Sequence, residues 1–358
     1  MRCLTLADAL ASVGASCRFV CRQAPGDLIE RIQRRGFDVG CLPPAGAAPP
    51  DPGGRHQTSM TNPAVSNAPY ATDADQTLAA LGRGVVDCLV VDHYALDARW
   101  ETKLRGACHN LCVIDDLADR PHDCDLLLDQ NWFADATLRR YDSLVPAHCI
   151  KLLGPQFALL GPDYASLRGL MPRRDGLVRR VMVSLGGGDP TNETAKALEA
   201  LMQPDLAPLA VDVVIGANHP CPEMVAALVE RRPGTILHAD LPSLSGLIAR
   251  SDLGIGAGGV TGWERMCLGL PSVVVSIADN QTPTNVALAE ANLIYFVGMA
   301  GNVDADDIAR VVRQAVGSPA TLAARAASMQ ALVSADGAKI VCNILSELAG
   351  GDATASAH

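Results

Sequence analysis

Two glycine-rich turns are where this chain could bind an anion. The first is SLGGGDPTN, Ser184 to Asn192. An apolar run ends there, and Gly186, Gly187 and Gly188 let the backbone approach a ligand closely. A helix is expected next, with Asp189, Thr191 and Asn192 near its cap. Exposed N–H groups at such an end suit a diphosphate. The turn fits neither the P-loop pattern nor the full dinucleotide fingerprint, and an ordinary strand-to-helix turn is the competing reading. The second turn, GAGGVTGWE, carries Gly259, Thr261 and Glu264. A carboxylate one turn inside a helix can accept two hydrogen bonds from a ribose diol. A solvated helix charge is the plain alternative. The next apolar run leads to Asp279, Asn280 and Gln281, at the strand end where open sheets bind ligands, although Asn280 could equally cap a helix.

A third constellation is VVDHYALD. Asp92, His93 and Tyr94 follow an apolar run, and His93 titrates near neutral pH, as a general base must. A structural histidine at a strand end is the alternative. Asp115 and Asp116 close a neighbouring run. Paired carboxylates can share acid–base work, but capping the following turn is the reading preferred here. His56, His122, His148, His219 and His238 lack metal-ligand spacing, and no metal or cofactor is read. The twelve cysteines mostly sit in apolar runs without a disulfide rhythm, as small buried hydrophobes in a reducing compartment would.

The elements that must position these residues alternate between short apolar runs and amphipathic segments. Strands are expected at 17–21, 37–42, 88–92, 110–114, 126–129 and 151–154. A second series lies at 181–185, 212–216, 235–239, 253–259 and 271–277. Helices fall between them, and three more close the chain. Buried strands in alternation with helices indicate parallel, doubly wound sheets. PRRDGLVRR, residues 172–180, reads as a linker between domains 1–171 and 181–350. Pro43 to Thr72 reads as a long loop with partial disorder. The 358 residues suit two such domains, and an apolar fraction of 49% excludes bulk disorder. A net charge of −10 argues against nucleic-acid and anionic-membrane partners. No apolar stretch reaches membrane-spanning length, and Asp8 interrupts what would otherwise imitate a signal peptide, so a cytoplasmic protein is expected. No partner protein is evident. One irregularity stands out: the first domain opens on a helix, where doubly wound domains begin with a strand and a Gly-rich turn.

Together these segments resemble the UDP-sugar hydrolases of pseudaminic acid biosynthesis, the PseG family. The resemblance runs from Met1 to about Ala291. It is carried by MRCLTLADAL, VVDHYALD, VIDDLADRPHDCDLLLDQN, LLGPQFALL, SLGGGDPTN and the stretch from GAGGVTGWE to ADNQ. It implies a GT-B-like α/β fold, two Rossmann-like domains with a cleft between them. It also implies hydrolysis of a UDP-linked diacetamido-trideoxy-hexose, with water attacking the anomeric carbon. Tyr94 and Asn280 would line the sugar and water site, and Asn192 and Glu264 would hold UDP. The family's general base is a histidine in a Gly-x-Gly-His-x-x-Arg-Cys loop. Arg2 and Cys3 match the end of that loop, so the histidine and its strand are expected upstream of Met1, leaving His93 as a substitute base. Gly161 stands where the family usually has an arginine, so a phosphate or sugar contact is expected to be lost. A GT-B glycosyltransferase and a catalytically weak UDP-sugar-binding protein are the two alternatives.

Overall fold

A short apolar run rich in Val, Leu and Ile can bury all of its side chains as a strand covered on both faces. The runs in this chain form parallel strands, and the central ones, such as Leu126–Asp129 and Leu253–Ala257, are buried in that way. The structure, a computed structural model, describes residues 1–45 and 70–355. The chain divides into one unit of residues 1–131, 135–159 and 337 onward, and another of residues 132–134 and 160–336.

The first unit begins with α1 (Arg2–Ser12), β1 (Arg18–Arg22), α2 (Ile29–Arg34), β2 (Asp38–Leu42) and α3 (Tyr70–Leu81). It continues with β3 (Val86–Val91), α4 (Ala98–Leu104), β4 (Cys108–Ile114), β5 (Leu126–Asp129) and β6 (Ile150–Leu153). Its strands form two parallel sheets, β1-β2 and β3-β4-β5-β6. Leu126, Leu127 and Leu128 of β5 are wholly buried, whereas β1 and β3, each at a sheet edge, keep mostly half-exposed side chains. Burying each such leucine contributes about 1.5–3 kcal/mol. Of the expected loop, residues 46–69 (His56 among them) lie outside the described residues, and Tyr70 to Thr72 already belong to α3.

The second unit runs α5 (Pro162–Leu170), β7 (Arg180–Ser184), α6 (Glu193–Leu201), β8 (Ala210–Ile215), α7 (Pro222–Arg231), β9 (Thr235–Ala239) and α8 (Ser245–Arg250). Then come β10 (Leu253–Ala257), α9 (Val260–Cys267), β11 (Ser272–Ser276), α10 (Thr282–Glu290), β12 (Tyr295–Met299), α11 (Ala305–Val316) and α12 (Pro319–Leu332). Its six strands are parallel in the order β12-β11-β10-β7-β8-β9. That order reverses direction between β7 and β10, the switch point at which open α/β sheets bind ligands. α5 and β12 were not legible in the sequence.

Two boundaries differ from the sequence reading. Residues 172–180 belong to the second unit, where Arg174 Nη2 donates to the carbonyls of Ile248 at 3.0 Å and Leu268 at 3.3 Å. The last helix, α13 (Gly337–Ala355), returns to the first unit. Its Ala338, Val341 and Leu345 pack with Leu6, Ile114 and Leu128. No helix among the described residues is long and apolar enough to cross a membrane.

Candidate functional site

In the second unit both glycine-rich turns sit at the carboxyl ends of adjacent strands, β7 and β10. Their helices start differently. Ahead of α6, Asp189 takes a left-handed backbone and turns its carboxylate forward. Oδ1 accepts the Glu193 N–H at 2.9 Å and Oδ2 the Thr194 N–H at 2.8 Å. The N–H groups of Asn192 and Ala195 go to the carbonyls of Asp189 and Asn192. Every donor of the first turn is therefore used. His219 reinforces the cap: its Nδ1 accepts the Cys221 N–H, so Nε2 carries the proton toward Asp189 Oδ2, 3.4 Å away. Asn192 donates to Met224 Sδ, and its Oδ1 is buried without a partner.

Helix α9 has no such cap. Gly259, at φ 81°, turns the chain into it without a capping side chain. The N–H groups of Val260 and Thr261 have no protein acceptor among the described residues. One turn along, burial raises the Glu264 carboxyl to about 7, with Tyr164 and Arg265 holding it from going higher. The Tyr164 hydroxyl is itself buried, beside Glu264 but outside hydrogen-bonding geometry. Gln281 lies next to Gly259 and accepts the Ile277 N–H at 3.1 Å, while Asp279 and Asn280 are exposed. The second unit thus brings Gly259, Thr261, Glu264 and Gln281 to the switch point, with Gly186 packed near Ile277.

In the first unit the polar cluster lies at the carboxyl ends of β3 and β4. Arg2, buried at the start of α1, spans two aspartates. It donates to Asp92 at 2.7 and 3.1 Å and to Asp116 at 2.8 and 2.9 Å. Asp116 also accepts from Tyr94 Oη at 2.8 Å and from Asn131 Nδ2 at 3.2 Å. Asp116 thus anchors the Arg2, Tyr94 and Asn131 side chains. His93 Nδ1 accepts the Ala95 N–H at 3.1 Å, which assigns the proton to Nε2. In this arrangement His93 is a donor, and burial lowers its pKa further. Asp115 points the other way, into the interior. It accepts the Ala118 N–H at 2.9 Å and the Tyr141 hydroxyl at 3.0 Å, and it pairs ionically with Arg120 at 3.0 Å. The capping role expected of the pair therefore belongs to Asp115, and Asp116 joins the Tyr94 cluster.

No family model matches the chain. Spore coat polysaccharide biosynthesis protein SpsG of Bacillus subtilis is 30% identical over 148 residues, 41% of this chain and 43% of that protein. An uncharacterized protein of Methanocaldococcus jannaschii, MJ1062, is 22% identical over 195 residues, 53% of this chain and 40% of that protein. The chain thus matches less than half the length of either relative. Among solved structures, MurG of Acinetobacter baumannii superposes with a TM-score of 0.56 at 12% identity, covering 97% of this chain and 95% of that one. Arabidopsis thaliana UGT89C1, solved with UDP, gives 0.64 at 15% identity, covering 97% and 95%.

The fold is GT-B. The likeness establishes architecture, and SpsG adds a distant homologue in polysaccharide biosynthesis. Sequence reasoning passed over Arg2 as part of a site, Asn131, Tyr164 and Arg265. Asn131 carried a readable signal, a polar Asp-Gln-Asn triplet closing the run Leu126–Leu128. Gly161 precedes α5, and Asp163 fills the space beside it: a Cβ on Gly161 would meet Asp163 Oδ1 at 2.7 Å.

Proposed function

We propose that the chain is a UDP-sugar-dependent enzyme of the GT-B type that transfers its sugar to an acceptor during saccharide assembly. One observation carries this reading: the uncapped start of α9 at the sheet's switch point, with Glu264 one turn along. In it, the Val260 and Thr261 N–H groups hold the diphosphate, and Gly259 lets it approach the backbone. Glu264 accepts the ribose hydroxyls. Asp279, Asn280 and Gln281 belong to the sugar end. Gly186, Gly187 and Gly188 flank the nucleotide beside them, with Asn192 behind. In the first unit, Tyr94 is assigned to acceptor binding, with His93 beside it in sequence as a donor.

The chemistry follows from the leaving group. UDP departs as a delocalised anion and needs little acid help. N–H groups fixed in place beforehand stabilise the charge that develops on it. The acceptor oxygen is the weaker partner and needs a base, a contribution of about 10²–10⁴-fold. The name of SpsG supports a saccharide as acceptor.

Hydrolysis is the second reading, favoured by the resemblance of the Asp92–Asn131 block to the UDP-sugar hydrolases. It differs only in using water as acceptor. Calorimetry with UDP, followed by UDP release from UDP-sugars with and without saccharide acceptors, tests both. Release that requires an acceptor is expected. Release at the same rate without one selects hydrolysis, and absence of UDP binding removes both.

A further inference from the structure

The strand that leads into the α9 turn has an unusual composition, Leu-Gly-Ile-Gly-Ala. Glycine inside a strand weakens it unless something must lie close against the backbone. Here that is the side chain of Arg265. A Cβ on Gly254 would meet Arg265 Cδ at 3.0 Å, and one on Gly256 would meet its Cζ at 2.9 Å. The two glycines form a slot across β10, and the guanidinium lies in it.

Arg265 is only 2% exposed. Its Nε donates to Ser272 Oγ at 3.0 Å, and its Nη2 donates to the Ala257 carbonyl at 2.6 Å. Ala257 is the last residue before Gly258-Gly259, so the arginine grips the strand where the turn leaves it. Nη1 has no hydrogen-bond partner, and among the described residues no carboxylate oxygen lies within 4.0 Å of the guanidinium. Arg265 also lines a small pocket together with Gly258, Gly259, Gly262, Thr284 and Asn285. Thr284 Oγ1 is likewise buried and unpartnered. The neighbouring Glu264 carboxyl acts on it only through space, so the guanidinium is a buried charge with no ion-pair partner, which is costly. Keeping one directly under an uncapped helix start is explicable if an anion arrives above it.

We propose that Arg265 is a positioning residue for the phosphate end of the nucleotide. From its slot in β10 it fixes the Gly258-Gly259 turn and adds a positive charge beneath the Val260 and Thr261 N–H groups. The proposal rests on the assignment of α9 to the diphosphate. It makes Arg265 specific for the phosphates and indifferent to the nucleoside.

The test compares UDP with uridine by calorimetry on the full chain and on R265M, R265K and G256A, with Tm measured for each. In R265M the UDP affinity should fall about tenfold or more, the scale of a lost charge-assisted interaction, while uridine binding stays within about twofold. R265K should recover part of the UDP affinity. G256A keeps the arginine but fills its slot, and should show the same selective loss if R265M does not fold. Equal loss of UDP and uridine in every folded variant would make Arg265 a packing residue and overturn the proposal. So would unchanged UDP affinity in G256A and R265M. If the unmodified chain binds uridine and UDP equally, the assignment of α9 fails, and this inference with it.

Discussion

Helices α6 and α9 start at the ends of adjacent strands, behind similar glycine-rich turns, and they have opposite electrostatic histories. The α6 start is closed by the protein's own carboxylate: Asp189 holds the Glu193 and Thr194 N–H groups, and His219 backs it. The α9 start is left open above a buried arginine. A glycine-rich turn after a strand is therefore not itself an anion site. What matters is whether the helix donors are already spent. Gly186, Gly187 and Gly188 let the chain bend beside a ligand, while α9 keeps the donors that would hold one.

The comparison is most easily broken by placing a carboxylate at α9. Thr261→Glu puts an acid in the first turn of a helix, where it favours the fold. It also sets a like charge against the diphosphate, so UDP affinity should fall by at least about 100-fold while Tm holds or rises. Calorimetry and thermal unfolding together check this, and a parallel loss of stability would remove its meaning. The reciprocal change at α6 should do the reverse. Asp189→Ala orphans two buried N–H groups and His219, costing about 1–3 kcal/mol of stability, yet UDP affinity should stay within about threefold. A large affinity loss without destabilisation would move the phosphate to α6.

A smaller effect sharpens the same contrast. Burial raises Glu264 to about 7, so in the free protein the carboxyl is protonated below that pH. Only the ionised form can accept both ribose hydroxyls. Uridine affinity should therefore rise about tenfold between pH 6 and pH 8, and Glu264→Gln should flatten the profile. Uridine is the appropriate probe because it carries no phosphate to titrate over that range. A flat profile in the unmodified chain would take Glu264 off the ribose.

Much of this architecture was legible because local pattern and final environment agree. The apolar runs at 110–114 and 126–129 became buried strands, and the turns at 186–188 and 258–259 fell where a strand must hand over to a helix. What escaped depends on partners distant in sequence. Arg2 meets Asp116 across 114 residues, and nothing local marks either as the other's partner. The apolar face of α13 would suit either unit, and only the packing of Val341 and Leu345 against β4 and β5 assigns it to the first. β12 is short and interrupted by Gly298, whose φ of 152° belongs to glycine. The forward reach of Asp189 was half visible: Asp189, Thr191 and Asn192 were read as residues near a cap, but not as a cap that spends every donor. The Gly-x-Gly spacing within the expected strand at 253 carried a signal of its own, since glycine within a strand often marks something lying against it, here Arg265.

The central claim is that the open helix start, and not the self-capped one, takes the diphosphate. A crystal structure of the full chain with UDP tests it most directly. The account predicts phosphate oxygens within hydrogen-bonding distance of the Val260 and Thr261 N–H groups, with Asp189 still bound to Glu193 and Thr194. A diphosphate seated on the Glu193 and Thr194 N–H groups, with Asp189 swung away, would contradict it.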